Sequence, residues 1–247
     1  MQKMIYSTRY ISGHFNRCPS KYASDANMIE PIYNQIPREE FDYQTLLDVL
    51  KNYERPRDKI SDYLRKGVIV RIKKGLYIFG EGYRKKPYSR ELLANLIYGP
   101  SYISLDYALQ YHALIPERVE ALTSVTTGRS RRFETPVGLF TYRKISVQAF
   151  RFGMTRMELD GQSAFLIAIA EKALADKVQA VRGTGIKTLR QMREYLADDL
   201  RIDESSLRQL SPLHFDEIAR RYRSRKIRML SKLTRRLRKN SGGKRDE

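Results

Sequence analysis

The residues able to do acid–base or metal chemistry are few and scattered. His14, His112 and His214 lie far apart, and none has a metal-ligand neighbour three or four positions away. Cys18 is the one cysteine, which leaves no pair for an internal disulfide and no thiolate cluster for zinc. Asp160 with Glu171-Lys172 has the residue types of a metal-dependent nuclease. Such a site needs an acid and a lysine two apart on a strand, both aimed at one ion. Here Glu171 and Lys172 are adjacent on a predicted helix, where neighbours point about 100° apart. Gly183-Thr184-Gly185 has no strand leading into it and no Gly-Lys-Ser/Thr, so it is not a phosphate loop. The sequence therefore reads as a binding protein, not an enzyme, with no catalytic residue, no metal and no cofactor expected.

Charge says more. Over 247 residues, 47 Lys and Arg face 28 Asp and Glu, a net +19 that suits a polyanionic partner. The excess is uneven: +5 over residues 1–80, +3 over 81–219 and +11 over 220–247. The lone cysteine and the absence of an apolar leader favour a reducing cytoplasm. The most apolar run, Ala164–Ala170, falls far short of the ~20 residues that span a bilayer, so no membrane partner is expected.

The elements that must position these charges can be read from spacing. Tyr43, Leu46, Leu47, Leu50 and Tyr53 form one helical stripe from Asp42, a plausible N-cap, to the break at Arg55-Pro56. Ile60, Tyr63 and Leu64 share a face of a second helix, ended by Gly67. Val68, Val70 and Ile72 then alternate with Ile69, Arg71 and Lys73, and Lys74-Gly75 turns the chain into Leu76-Tyr77-Ile78-Phe79. Helix, glycine, strand, basic turn, strand is the layout of a winged helix, with Lys73 and Lys74 at the wing tip. Arg55, Arg57, Arg71, Lys73 and Lys74 are the best phosphate contacts. The helix's exposed side adds Lys59, Arg65 and Lys66 as further expected DNA contacts, mixed with Asp58 and Asp62, which would repel phosphates. There is no room for a third helix between the two unless the preceding arm supplies it.

The fold class expected is α+β, in four parts: an irregular arm (1–36), a winged-helix DNA-binding domain (37–82), a mixed α/β domain (83–212) and a basic C-terminal helix with its tail (213–247). In the third part, helices are expected over Arg90–Tyr98, Leu105–Ala113, Gln162–Val181 and Ile186–Leu196, and strands over Leu122–Thr127, Arg131–Thr135, Leu139–Ile145 and Met154–Leu159. Phe215–Lys239 reads as one amphipathic helix. Its polar side includes Arg221, Arg225, Arg228, Arg235 and Arg236, which lie along nucleic acid, on an anionic membrane surface, or in solvent while the apolar stripe packs on the body.

Several runs carry a resemblance. Ser101-Tyr102-Ile103-Ser104-Leu105-Asp106-Tyr107-Ala108-Leu109, then His112–Glu117 and Thr123–Thr127, resemble the AbiEi antitoxin family of type IV toxin–antitoxin systems. Ala170–Asp176 is similar to that family's Glu-Lys-Ala-Leu helix, and Lys74-Gly75-Leu76-Tyr77 to the end of its winged helix. The resemblance spans about residues 41–180. It implies a bacterial antitoxin whose winged helix binds double-stranded operator repeats and represses its own operon. A second domain would counter a nucleotidyltransferase-like toxin without a stable complex. Carried over by position, Arg55, Arg57, Lys59, Arg65, Arg71, Lys73 and Lys74 become operator contacts, and Glu171, Lys172 and Asp176 the antitoxin-domain motif. The residues alone leave open an RNA- or ribosome-associated basic protein.

Overall fold

A computed structural model of the chain describes residues 32–159, 161, 163–181 and 186–242. The N-terminal unit opens with a helical turn at 32–35, followed by β1 (Glu40–Asp42), α1 (Tyr43–Val49), α2 (Pro56–Arg65), β2 (Ile69–Lys73) and β3 (Leu76–Phe79). The strands form an antiparallel sheet in the order β1-β3-β2. Asp42 caps α1 by accepting from the Thr45 amide at 2.8 Å, and Pro56 starts α2, where its missing N–H costs nothing. Gly67 (φ +70°) ends α2 in the left-handed region. Gly80 lies against it so closely that a Cβ there would sit 1.9 Å from the Gly67 carbonyl oxygen. Ile32, Ile36, Phe41, Leu46, Tyr63 and Phe79 share one buried cluster. The segment before residue 37 therefore contributes structure where the sequence shows an irregular arm. Residues 1–31, with His14 and Cys18, lie outside the described residues.

The second unit is built on a six-stranded sheet of β4 (Ser101–Ile103), β5 (Leu122–Thr126), β6 (Arg131–Thr135), β7 (Gly138–Lys144), β8 (Met154–Glu158) and β9 (Ala164–Ala168). The order is β6-β7-β5-β4-β9-β8, with β5/β7 and β4/β9 parallel and the other pairs antiparallel. Its helices are α3 (Arg90–Ile97), α4 (Leu105–Tyr111), α5 (Val147–Phe150), α6 (Ala170–Ala180), α7 (Leu189–Glu194), α8 (Glu204–Gln209), α9 (Pro212–Tyr222) and α10 (Arg225–Gly242). A π-helical turn, Tyr195–Asp199, extends α7. The buried Tyr142 hydroxyl donates to the Ala94 carbonyl at 2.6 Å and ties the sheet to α3. Together the two units give the expected α+β class.

The units are joined firmly. Ile72, Leu76 and Ile78 of the small sheet belong to the same buried cluster as Leu93 and Ile97 of α3. Glu39 Oε1 accepts the Lys85 and Lys86 amides at 3.0 and 3.1 Å. The segment Glu81–Tyr88, a linker by composition, is thus pinned.

The structure departs from the sequence reading in three places. The helix expected over Gln162–Val181 is a strand followed by a helix. Phe165 and Ile167 point inward while Leu166 is exposed, and β9 lies between β4 and β8. The alanine-rich composition matched a helix, but the vacancy beside β4 selected extended backbone. Second, Ser101–Ile103, to which the sequence spacing assigns no element, is a buried central strand. Third, the helix expected over Phe215–Lys239 is two helices. Arg223 adopts φ 51° and ψ 39°, and Ser224 donates its amide to Ala219 O at 3.1 Å. That left-handed cap turns the chain so that α10 packs against α9, burying Leu230, Leu233 and Leu237.

The Asp42 cap yields a prediction. Its hydrogen bonds to the Thr45 amide and hydroxyl hold the carboxyl below its usual range. A depressed folded value means the cap's contribution is present above the unfolded carboxylate pKa and lost as pH falls through the folded one. Asp42→Ala should cost about 0.5–2 kcal/mol in urea unfolding at pH 7. That difference should shrink as pH falls below the ordinary carboxylate range and through the depressed folded value.

Candidate nucleic-acid interface and a buried ion-pair network

The eight cations expected to meet DNA divide sharply once placed. Arg65 and Lys66 both pair with Asp62, at 2.7 and 3.1 Å, and their hydrogen bonds hold its carboxyl below the usual range. Lys59 lies over the rings of Tyr63 and Tyr53, 5.1 and 5.6 Å from the centroids. Lys73 is half-buried: its ammonium donates to the Ile97 carbonyl, and burial lowers its pKa. This corrects its placement at the wing tip. A register shift between Arg71 and Lys73 breaks the strict alternation read from the sequence, sending Ile69 and Ile72 inward and Lys73 toward α3. Arg55, Arg57, Arg71 and Lys74 remain exposed, with no ion-pair partner among the described residues. Arg55 and Arg57 stand at the N-terminal end of α2, Arg71 on the edge strand β2 and Lys74 in the β2–β3 turn.

The motif residues of the second unit form a buried polar network. Lys172 and Asp176, one turn apart on α6, pair at 2.6 Å with both side chains wholly buried. The other carboxylate oxygen of Asp176 accepts from the Ser104 hydroxyl at 2.7 Å and the Tyr102 hydroxyl at 3.2 Å. The Tyr222 hydroxyl donates to Asp176 as well, and Lys172 reaches the Tyr222 oxygen at 3.1 Å. The ammonium also lies 4.2 Å from the centroid of the Tyr222 ring. Burial raises the pKa values of Tyr222 and Tyr102, and Asp176 adds to that rise, so both phenols stay protonated donors. Burial lowers the Lys172 pKa while Asp176 opposes the drop. Gly153 backs the pair: φ is +85°, and a Cβ there would meet Lys172 Cβ at 2.8 Å. Glu171 accepts the Ser211 amide at 2.7 Å, with His214 Nδ1 at 3.4 Å. All three motif residues therefore fasten α6 to its neighbours. Ser104 reads in the sequence as a helix cap and Tyr222 as part of an apolar stripe. Their pairing with Asp176 crosses 72 and 46 positions and has no local signal.

Beside the network opens a cleft of about 340 Å³ lined by Leu105, Val125, Arg143, Lys144, Gln179 and Tyr222. A second cavity of about 690 Å³ adjoins it and shares Leu105, Arg143 and Lys144. Leu105 holds φ +59° where β4 runs into α4. Among the described residues, no three His, Cys, Asp or Glu side chains converge to hold a metal ion. His112 bonds the Ala168 carbonyl at 2.7 Å, and Asp160 lies outside the described residues.

The basic helix residues also divide. Arg221 pairs with Glu217 at 2.8 Å, and Arg235 with Asp216. Arg225, Arg228 and Arg236 are exposed and have no such partner among the described residues. No described helix is long and apolar enough to cross a membrane. A scan against protein-family models and a search of curated proteins each returned no match.

Removing one member of a buried pair strands the other. Asp176→Ala should therefore cost about 3–5 kcal/mol in urea unfolding. Exposed Arg156→Ala, whose carboxylate partner is also exposed, should cost under about 1 kcal/mol.

Proposed function

We propose that this chain is a DNA-binding antitoxin that represses its own operon and is not an enzyme. The observation that carries the reading is the N-terminal unit's order of strand, two helices and a hairpin on an antiparallel sheet of order β1-β3-β2. Read as a winged helix, the turn at 32–35 is its first helix, α1 the second and α2 the recognition helix. The β2–β3 hairpin is then the wing. Arg55 and Arg57 would lie at the end of α2 from which recognition helices reach base edges. There an Arg can grip guanine with two hydrogen bonds. Arg71 and Lys74 would sit on phosphates, which fix register without reading sequence.

The second unit would supply the antitoxic activity against a nucleotidyltransferase-like toxin. Glu171, Lys172 and Asp176 are buried, so on this reading they hold the domain together and the toxin is countered without their touching it. The resemblance to the AbiEi antitoxins carries the toxin assignment, and growth rescue on co-expression with a neighbouring nucleotidyltransferase tests it.

DNA recognition is tested by titrating the protein against its own upstream duplex and a random duplex. Upstream preference should be ~10³-fold or more. Arg55→Gln with Arg57→Gln should erode that preference by about 10-fold or more. Arg71→Gln with Lys74→Gln should weaken both duplexes alike and lower the salt slope by ~1–2 units, whereas Lys73→Gln should leave the slope unchanged. Equal binding of both duplexes by the unaltered protein would sink the repressor reading.

A further inference from the structure

α10 differs from the chain's other surface helices in how its cations are balanced. On α2, α7 and α9 several cations lie a turn from a carboxylate: Arg65 and Lys66 at Asp62, Arg190 at Glu194, and Arg220 and Arg221 at Glu217. Between Glu217 and Asp246 the sequence holds no acid at all. Three cations of α10 turn back to the body. Lys226 reaches the Val181 carbonyl at 3.1 Å, Arg235 meets Asp216, and Arg238 reaches the Arg208 carbonyl at 2.7 Å. Arg225, Arg228, Lys232, Arg236 and Lys239 are exposed, and their side chains have no hydrogen-bond or ion-pair partner among the described residues.

These five form one row. At about 100° and 1.5 Å per residue they fall within an arc of roughly 80° and run along about 21 Å of helix. Ile227, Leu230, Leu233, Thr234 and Leu237 are buried on the opposite side, so the row faces solvent in a fixed direction. Arg228/Lys232 and Lys232/Arg236 are like charges at i,i+4, an arrangement that opposes helix formation. A helix needing only solubility could mix signs, as the others here do. An anionic membrane is a poor partner, because surface helices of that kind insert an apolar face beside the charged one. Here the apolar face is already packed on the protein.

We infer that the solvent face of α10 is a binding surface for the sugar-phosphate backbone of nucleic acid, independent of base sequence. One strand of a duplex presents a phosphate per ~3.4 Å of rise, so a row of this length spans about six of them. The inference stands apart from the winged-helix reading, since it concerns another element and needs no operator.

The test uses the full chain, a random duplex and a structured RNA of similar length, each titrated across a salt series. Changing all five cations to Gln should lower the duplex salt slope by about 2–4 units and weaken binding at low salt by about 100-fold or more. Lys232→Gln with Arg236→Gln should produce roughly two-fifths of that change, and Arg225→Lys with Arg228→Lys and Arg236→Lys should preserve the slope. Parallel losses on DNA and RNA identify the shared backbone as ligand, and a loss on one alone identifies which nucleic acid it is. Unchanged slopes on both, with circular dichroism and melting temperature intact, would overturn the inference. So would a lysine variant that loses as much as the glutamine one, or tighter binding to phosphatidylserine–phosphatidylcholine vesicles than to either nucleic acid. Variants of Arg55 and Arg57 report on operator preference alone, so the two readings fail separately.

Discussion

The Asp176 carboxylate is the point on which the second unit is assembled. It is buried, and a bare carboxylate there would carry a prohibitive loss of hydration. It meets one ammonium and three hydroxyls, drawn from β4 and the Ser104 that follows it, from α6 and from α9. Four donors match the capacity of its two oxygens. Such a cluster contributes modest net stability, because desolvation offsets much of the attraction. It is strict about geometry, however: shifting any of the three elements leaves a buried donor or charge unpaired. Gly153 shows how little room there is, since even a methyl group would press on the Lys172 stem. Through Tyr222 the network also anchors the end of α9, from which Arg223 turns the chain into α10.

Part of the protein's large positive charge is cancelled by neighbouring carboxylates, and part is left exposed, with two of the exposed groups lying on α2 with its hairpin and on α10. Asp62, Asp216, Glu217, Glu194 and Glu204 each hold nearby cations. Left uncancelled at the start of α2 and along the hairpin are Arg55, Arg57, Arg71 and Lys74. On α10 a row of five is left. Both groups sit on outer surfaces of packed elements, which directs attention to extended polyanions more than to a small molecule in a cleft.

Much of this was legible in local spacing. The two helical stripes, the Asp42 cap, the Gly67 stop and the basic hairpin turn all follow from residues within a few positions of one another, and Lys172 with Asp176 is an ordinary one-turn pair. The sequence alone also placed the charge excess at the C-terminal end. It did not separate β9 from α6, because alanine suits a helix and only a neighbouring strand made extended backbone the better choice. Nor did it show the break at Arg223, since an arginine in the left-handed region has no compositional mark.

Which cations are free was decided only by the tertiary structure. Lys73 and Lys74 are adjacent and chemically identical, yet a bulge and the nearness of Ile97 bury one and leave the other in solvent. Arg235 and Arg236 differ in the same way, because Asp216 lies on one side of α10 and water on the other. Composition determines how many charges a chain must manage, and short-range periodicity determines the elements that carry them. Desolvation and pairing act across distances in space that the order of residues does not record, so they decide which charges remain available to a partner.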